Sequence, residues 1–331
     1  MDRLFVIGNG FDIAHGYATR YTDFNKWLIS ELQQDKEGEI HFTFIPIQEY
    51  KKAWGNTDLG ERDPRRMLIR MLLHLYDHLP TERNLSWNDF EKALLYIDIE
   101  YLHDAQTEDI ITEEDGINPK YIESLSRQNS DNLYYALEQI PVLFTEWINT
   151  VKVERKTIPF GEKYVNSKKH VARDYYINFN YTETLEQNYN ISSHNILHIH
   201  GYRKNQETLI IGYARDETRD IKLSTFGGNY KYAHDRLNEA LALLRKNTDA
   251  IISKNKAFFT QLREANISEI YSYGFSFSKV DLPYVKEIIS AVKGGRNILW
   301  NISCHNPAHY TIFMETVRKC GFLGEFAVLN S

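Results

Sequence analysis

Leu4-Phe5-Val6-Ile7 is a short apolar run that stops at Gly8-Asn9-Gly10 and continues as Phe11-Asp12, with His15-Gly16 a few residues on. A buried strand ending in a glycine turn before helix-compatible sequence is how a parallel sheet delivers backbone N–H groups to a phosphate. One glycine permits a tight turn, and the other lets a ligand approach the backbone without meeting a Cβ. The spacing departs from G-x-G-x-x-G, because position 13 is isoleucine and the third glycine waits until Gly16.

Six further runs look like buried parallel strands: Tyr175–Phe179, Ile196–Ile199, Leu209–Ile211, Ile270–Tyr273, Ile298–Ile302 and Phe326–Leu329. Only Leu4–Ile7 lies in the first third of the chain. From about Asp23 to Lys169 the periodicity is helical. Asp63-Pro64 reads as an N-cap with proline at the first helical position, followed by Leu68, Met71/Leu72, Leu75/Tyr76 and Leu79 until Pro80 stops the run. Ser86-Trp87-Asn88-Asp89 reads as a capping box leading into Phe90, Ala93, Leu94 and Ile97. Asn132–Val151 carries one amphipathic stripe through Leu133, Leu137, Ile140, Leu143 and Trp147. His41–Ile47 reads as a short strand or a loop, with Pro46 against a central strand.

The expected architecture is therefore α/β, a three-layer Rossmann-like parallel sheet with a large, mostly helical insertion after the first strand-helix unit. The nucleotide-binding domain is expected over 1–24 and 168–331, with a helical excursion at about 228–265, and the insertion over 25–167. The 331 residues suffice for a large core. The formal net charge of -6 gives no global basic field for nucleic acid, while leaving room for a local basic pocket. No stretch reaches the apolar length of a membrane span, and the opening run is too short for a signal peptide. Cys304 and Cys320 make neither a disulfide framework nor a four-thiolate zinc site. The expectation is a cytoplasmic protein with two reduced thiols.

Four segments fall at predicted carboxyl ends of strands, where open α/β sheets bind ligands: Gly8–Asp12, Asn178–Thr182, His198–Gly201 and Gly274–Ser278. Asn180 heads Asn180-Tyr-Thr-Glu183, a good N-cap box, but a neutral amide there also suits a water or a ribose hydroxyl. His198 and His200 are two apart, which places both imidazoles on one side of a strand. They read as a metal pair, as hydrogen-bonded core histidines, or as a single catalytic His200 before Gly201, where imidazole can take a proton from a hydroxyl or water. Gly274 and Ser276 suit a ribose or phosphate wall, and Ser278-Lys-Val-Asp281 reads as a cap. Asp12 would repel a phosphate, so it reads as a helix cap or a ribose ligand. Trp300 and His305 read as core or as a base-stacking pair.

These segments, in this order, resemble the AbiH family of bacterial abortive-infection proteins. Phe5–Gly16 is the most specific match, supported by Trp87-Asn88-Asp89-Phe90-Glu91, Asn178–Thr182, His198–Gly201, and Tyr273–Ser276 with Val280–Tyr284. The order is also similar to the sirtuin-like NAD-binding fold, where a Gly-x-Gly loop, a strand-end Asn, a His-Gly pair and a Gly-x-Ser turn surround NAD. What the resemblance implies is phage defence by destruction of NAD. His200 and Asn180 would be catalytic; Gly8, Asn9, Gly10, Phe11, Asp12, Gly201, Gly274 and Ser276 would bind the nucleotide, with no metal. A phage-derived trigger, a partner defence protein or a second copy of the chain would be partners, with no membrane and no nucleic acid. The chain departs from sirtuins in lacking a four-cysteine zinc ribbon, in placing Thr182 where they carry Asp, and in placing Asp12 in the glycine loop. Two other function classes stay open on the residues alone: a nucleotide-binding sensor without chemistry, and a metal-dependent hydrolase or nuclease using His198 and His200. A nicotinamide dehydrogenase fits less well. It calls for a second strand ending in an acidic residue about twenty residues on, whereas Thr22–Leu32 reads as helix.

Overall fold

The computed structural model describes residues 2–33, 64–73, 75, 86–108, 119–165, 173–205, 208–214, 216, 219, 221–223, 230–303 and 307–329. His41–Ile47, Asp63, Tyr76, Leu79, Pro80, Cys304 and His305 lie outside them. The described chain divides into two compact units, residues 1–20, 145–210 and 247–331, and residues 21–144 and 211–246.

The first unit is built on six parallel strands: β1 (Asp2–Ile7), β2 (Asp174–Asn178), β3 (Ile196–His198), β4 (Ile267–Tyr273), β5 (Leu299–Ser303) and β6 (Glu325–Leu329). Their spatial order is β3-β2-β1-β4-β5-β6, the order of a doubly wound Rossmann-like sheet. Its helices are α1 (Gly10–Ala14), α2 (Thr184–Tyr189), α3 (Thr248–Lys254), α4 (Lys256–Glu264), α5 (Leu282–Ala291) and α6 (Pro307–Lys319). Period-two alternation sorts the strand residues onto two faces. Leu4, Val6, Tyr175, Ile177, Ile270, Trp300 and Ile302 join one core with Phe259, Val285, Ile288 and Val317. Phe5, Ile7, Tyr176, Tyr271 and Tyr273 join the other with Phe11, Phe160, Leu185 and Tyr189. Because β1 and β2 are buried on both faces, they read as near-continuous apolar runs. On the second face Phe5 stacks between Tyr176 and Tyr271, with ring centroids 4.9 and 5.1 Å away. Arg3 locks the base of β1 to β2 with a two-pronged bond to Asp174 at 2.8 and 2.6 Å.

Six of the seven expected strands form. Leu209–Ile211 does not, although Leu209 and Ile211 are buried. The Ile210 N–H is donated to His200 O, and among the described residues the isolated β-bridge nearby joins Tyr213 to Arg245, with no ladder at Leu209–Ile211. Trp300 is core: it is fully buried, and its indole N–H reaches Ser272 Oγ at 3.2 Å.

The second unit is helical, with segments Tyr21–Gln33, Pro64–Leu73, Ile99–Glu108, Pro119–Glu138 and Lys231–Leu243. Leu68, Leu72 and Leu75 of the expected stripe are buried. Ser86 donates its N–H to the Asp89 carboxylate, which is one half of the expected capping box; its hydroxyl also donates to Asp89, and the Asp89 N–H goes to Ser86 O rather than Oγ. The helix expected over Asn132–Val151 is two helices, Pro119–Glu138 and Ile140–Thr150. Pro141 has no N–H to continue the ladder, and the N–H groups of Val142 and Leu143 turn to Gln139 O instead.

The unit boundaries differ from the expected 25–167. Ile158, Phe160 and Val165 pack in the sheet core, which puts the segment after Phe144 in the first unit. Tyr232 and Arg236 both bond Asp131, which puts the segment 211–246 in the helical one. Here Lys246 is fully buried, with Nζ 2.7 Å from Glu91 Oε1. Removing one partner of a buried pair strands the other, at a cost of about 3–5 kcal/mol. Lys246→Ala is expected to lose stability of that order in urea unfolding, and Lys246→Met to lose more than half as much, because Glu91 keeps only the Gly212 N–H and loses its counter-charge.

Candidate functional site

The order of the strands reverses between β1 and β4, and the loops leaving β1, β2, β3 and β4 at their carboxyl ends are tied to one another. The β1 and β4 loops meet backbone to backbone. Gly10 N–H is donated to Gly274 O and Gly8 N–H to Tyr273 O, both at 3.0 Å. A Cβ on Gly8 would stand 2.4 Å from Gly274 O, and one on Gly10 would stand 2.5 Å from Gly274 Cα. Gly274 has φ +63, and its own Cβ would stand 2.4 Å from Phe11 N. The glycines therefore serve loop-on-loop packing, where the sequence alone suggests a tight turn for one and ligand approach for the other. Phe11 N–H is donated to Gly8 O, so Gly8, Gly10 and Phe11 all spend their donors within the protein. Asn9 closes the turn through its side chain, which donates to Thr19 O at 2.8 Å and accepts from Thr19 Oγ1 at 2.7 Å.

Asp12 is buried, and its carboxylate accepts from Thr182 Oγ1 at 2.6 Å and Thr184 Oγ1 at 2.7 Å. It thus ties the β1 loop to the β2 loop. Burial pushes the Asp12 carboxyl up to about 6, against the two threonine bonds and the positive charge of Arg203. The linkage has a definite sign. Between the unfolded value near 3.8 and the folded value near 6, the native state holds more protons, so stability falls as pH rises through that window. The size is about 3 kcal/mol at full titration. Asp12→Asn keeps the shape and removes the titration. Its melting temperature is expected to be flatter than that of the wild type between pH 4 and 6, and higher at pH 7 to 8. A parallel pair of curves would contradict this.

Asn180 does not cap a helix. The residue preceding α2 is Glu183, and Asn180 Nδ2 instead donates to Gly8 O at 3.2 Å. Its own N–H is donated to Asn178 Oδ1 at 3.0 Å. Asn180 Oδ1 and Asn178 Nδ2 are buried and have no hydrogen-bond partner. Glu183 is held by Arg203 in a fork with both bonds at 2.7 Å, and Arg203 also donates to the carbonyls of Ile148 and Val151. Burial alone would raise the Glu183 carboxyl, but the Arg203 bonds outweigh it and hold its pKa below the ordinary value.

The two histidines part company. β3 ends at His198, and the chain turns at Gly201, where φ is +91 and the N–H is donated to His198 O. The alternation that would keep both rings on one side ends with the strand. His198 Nε2 lies 2.8 Å from Glu186 Oε1, and its ring stacks on Tyr202 at 4.4 Å. His200 is buried, with Phe179, Tyr181 and Tyr284 rings 5.3, 6.4 and 5.4 Å away, and its Nε2 is 3.9 Å from Asp281 Oδ1. Asp281 Oδ2 accepts from Ser278 Oγ at 2.8 Å, while the Asp281 N–H is donated to Ser278 O, so neither side chain caps a backbone N–H as the capping reading expected. Asp281 was not singled out as a functional residue. Its position three residues past Ser278, at the start of the helix that follows β4, is the signal that marks it. Ser276 is exposed between the buried rings of Phe275 and Phe277, away from these bonds.

His15 is structural. Its Nδ1 lies 2.7 Å from Phe11 O and its Nε2 2.8 Å from Tyr189 OH, and burial lowers its pKa. Among the described residues no group of three or more His, Cys, Asp or Glu is arranged to hold a metal ion. Among them, too, no helix is long and apolar enough to cross a membrane.

The fold and the linked loops define a Rossmann-like α/β protein whose polar strand-end residues, Asn178, Asn180, His200 and Asp281, gather where the strand order reverses. The model of the bacteriophage abortive infection AbiH family matches residues 4–303, nearly the whole chain. The chain belongs to that family, and with it to the abortive-infection defences against phage. No curated protein and no solved structure matches it.

Proposed function

We propose that the site formed by His200, Asp281 and Asn180 hydrolyses NAD at the nicotinamide–ribose bond, and that this is how the chain defends against phage. The observation that carries the reading is the pairing of His200 with Asp281, 3.9 Å apart and enclosed by Phe179, Tyr181 and Tyr284. Cleavage of that bond builds positive charge on the ribose in an oxocarbenium-like transition state. A carboxylate and aromatic faces both favour a cation, and a dry enclosure strengthens each of them. His200 takes the proton of the attacking water, with Asp281 orienting the ring. The water oxygen bonds to C1′, the C1′–N bond breaks, and its electron pair neutralises the pyridinium nitrogen of the departing nicotinamide. Asn180 supplies an acceptor with no added charge. The phosphates are not assigned to the N–H groups of Gly8, Gly10 or Phe11, since these are already spent.

A second reading, nucleotide binding without chemistry, is favoured by the burial of His200 and Asn180, 4% and 3% exposed, which keeps bulk solvent from the pair. Nicotinamide release separates the two. Purified protein incubated with NAD releases nicotinamide on the first reading, and binds NAD without releasing it on the second.

A further inference from the structure

Asn178 is the last residue of β2 and pairs with Ile7, immediately before the glycine turn. Its amide orientation is set by the backbone, because Oδ1 accepts the Asn180 N–H and Nδ2 is therefore the other arm. The Asn180 amide is set in the same way, because Nδ2 donates to Gly8 O and Oδ1 is the arm left over. The strand end thus holds one buried donor and one buried acceptor, Asn178 Nδ2 and Asn180 Oδ1, neither of which has a partner within the protein. The two residues are 1% and 3% exposed. Buried polar groups are nearly always satisfied, and one left unsatisfied is destabilising, so a pair of them two residues apart at a strand end calls for a ligand. The complement of one donor and one acceptor is a group that both accepts and donates. A hydroxyl does both through a single oxygen.

We propose that Asn178 is a specificity-determining residue and that its Nδ2, together with Asn180 Oδ1, holds a hydroxyl. That hydroxyl belongs either to the ribose of the nucleotide or to the attacking water. The proposal rests on the reading of the site as a ribosyl-bond hydrolase. It gives the β2 strand end a role that a capping box would not. It also explains why a polar residue ends a strand whose preceding residues are all aromatic or aliphatic from Tyr175 onward.

The test uses the full-length protein and two variants. Asn178→Asp retains the acceptor that Asn180 N–H needs and deletes the donor; Asn178→Ser deletes the amide and adds no charge. Steady-state nicotinamide release is measured with NAD, 2′-deoxy-NAD and 3′-deoxy-NAD, and with methanol as a competing nucleophile. A ribose hydroxyl in the clamp predicts KM for NAD raised about 10-fold with kcat nearly kept, and loss of the preference for NAD over one deoxy form. A clamped water predicts unchanged KM, a lower kcat and a higher ratio of methanolysis to hydrolysis. Either result supports the clamp. Wild-type values throughout, or a uniform fall in kcat with discrimination and methanolysis ratio unchanged, overturn it. If the wild type releases no nicotinamide, the hydrolase reading fails on its own. The clamp is then judged by calorimetry with ADP-ribose and its 2′- and 3′-deoxy forms. A hydroxyl-dependent preference that Asn178→Ser removes upholds it, and no preference overturns it.

Discussion

His200→Ala is expected to lower nicotinamide release by roughly 10²- to 10⁴-fold, the usual contribution of a positioned general base. The ring lies within a box of Phe179, Tyr181 and Tyr284, so truncation also removes packing. His200→Gln restores most of the bulk and is expected to be equally inactive while melting closer to the wild type. Asp281→Asn keeps the Ser278 bond but removes the charge that faces His200 Nε2, and is expected to cost less, about 10-fold. A His200 variant that retains full release while folding normally would remove the histidine from the chemistry.

Gly274→Ala is expected to be the most damaging single substitution for the fold. The φ of +63 disfavours any Cβ, and the added atom would stand 2.4 Å from Phe11 N and 2.5 Å from Gly10 Cα. Left-handed strain of about 1–2 kcal/mol and overpacking of about 1–3 kcal/mol act together, since backbone cannot move aside as a side chain can. A loss of at least about 3 kcal/mol, or roughly 6–12 °C in Tm, is expected in thermal or urea unfolding. The same geometry changes how a Gly10 substitution is interpreted. Gly10→Val cannot separate ligand binding from folding, because its Cβ would meet the Gly274 backbone whether or not a ligand is bound. A Gly274→Ala protein as stable as the wild type would contradict the interlocked loops.

The strands were legible because parallel strands covered on both faces must be apolar, and Leu4–Ile7, Tyr175–Asn178 and Ile270–Tyr273 are almost wholly so. Leu209–Ile211 has the same composition without the same fate, since strand pairing depends on a neighbour that sequence does not display. The glycine turn was visible, but its reason was not. A phosphate loop and a backbone crossing ask for the same residue, and only the position of Gly274 against Gly10 tells them apart. The His198-x-His200 spacing implied a shared side of a strand, yet β3 stops at the first of the two. Asp12, which looks misplaced beside a phosphate, is explained by Thr182 and Thr184, residues 170 and 172 positions away. Asp281 carried a capping signal that concealed its approach to His200. In each case the missing information was a contact between distant parts of the chain.

The central claim is most directly tested by incubating the purified protein, alone and with phage lysate as a source of trigger, with NAD and quantifying free nicotinamide and ADP-ribose. The account predicts stoichiometric release of the two products by the wild type and almost none by His200→Gln. NAD left intact by folded wild-type protein under both conditions would contradict it.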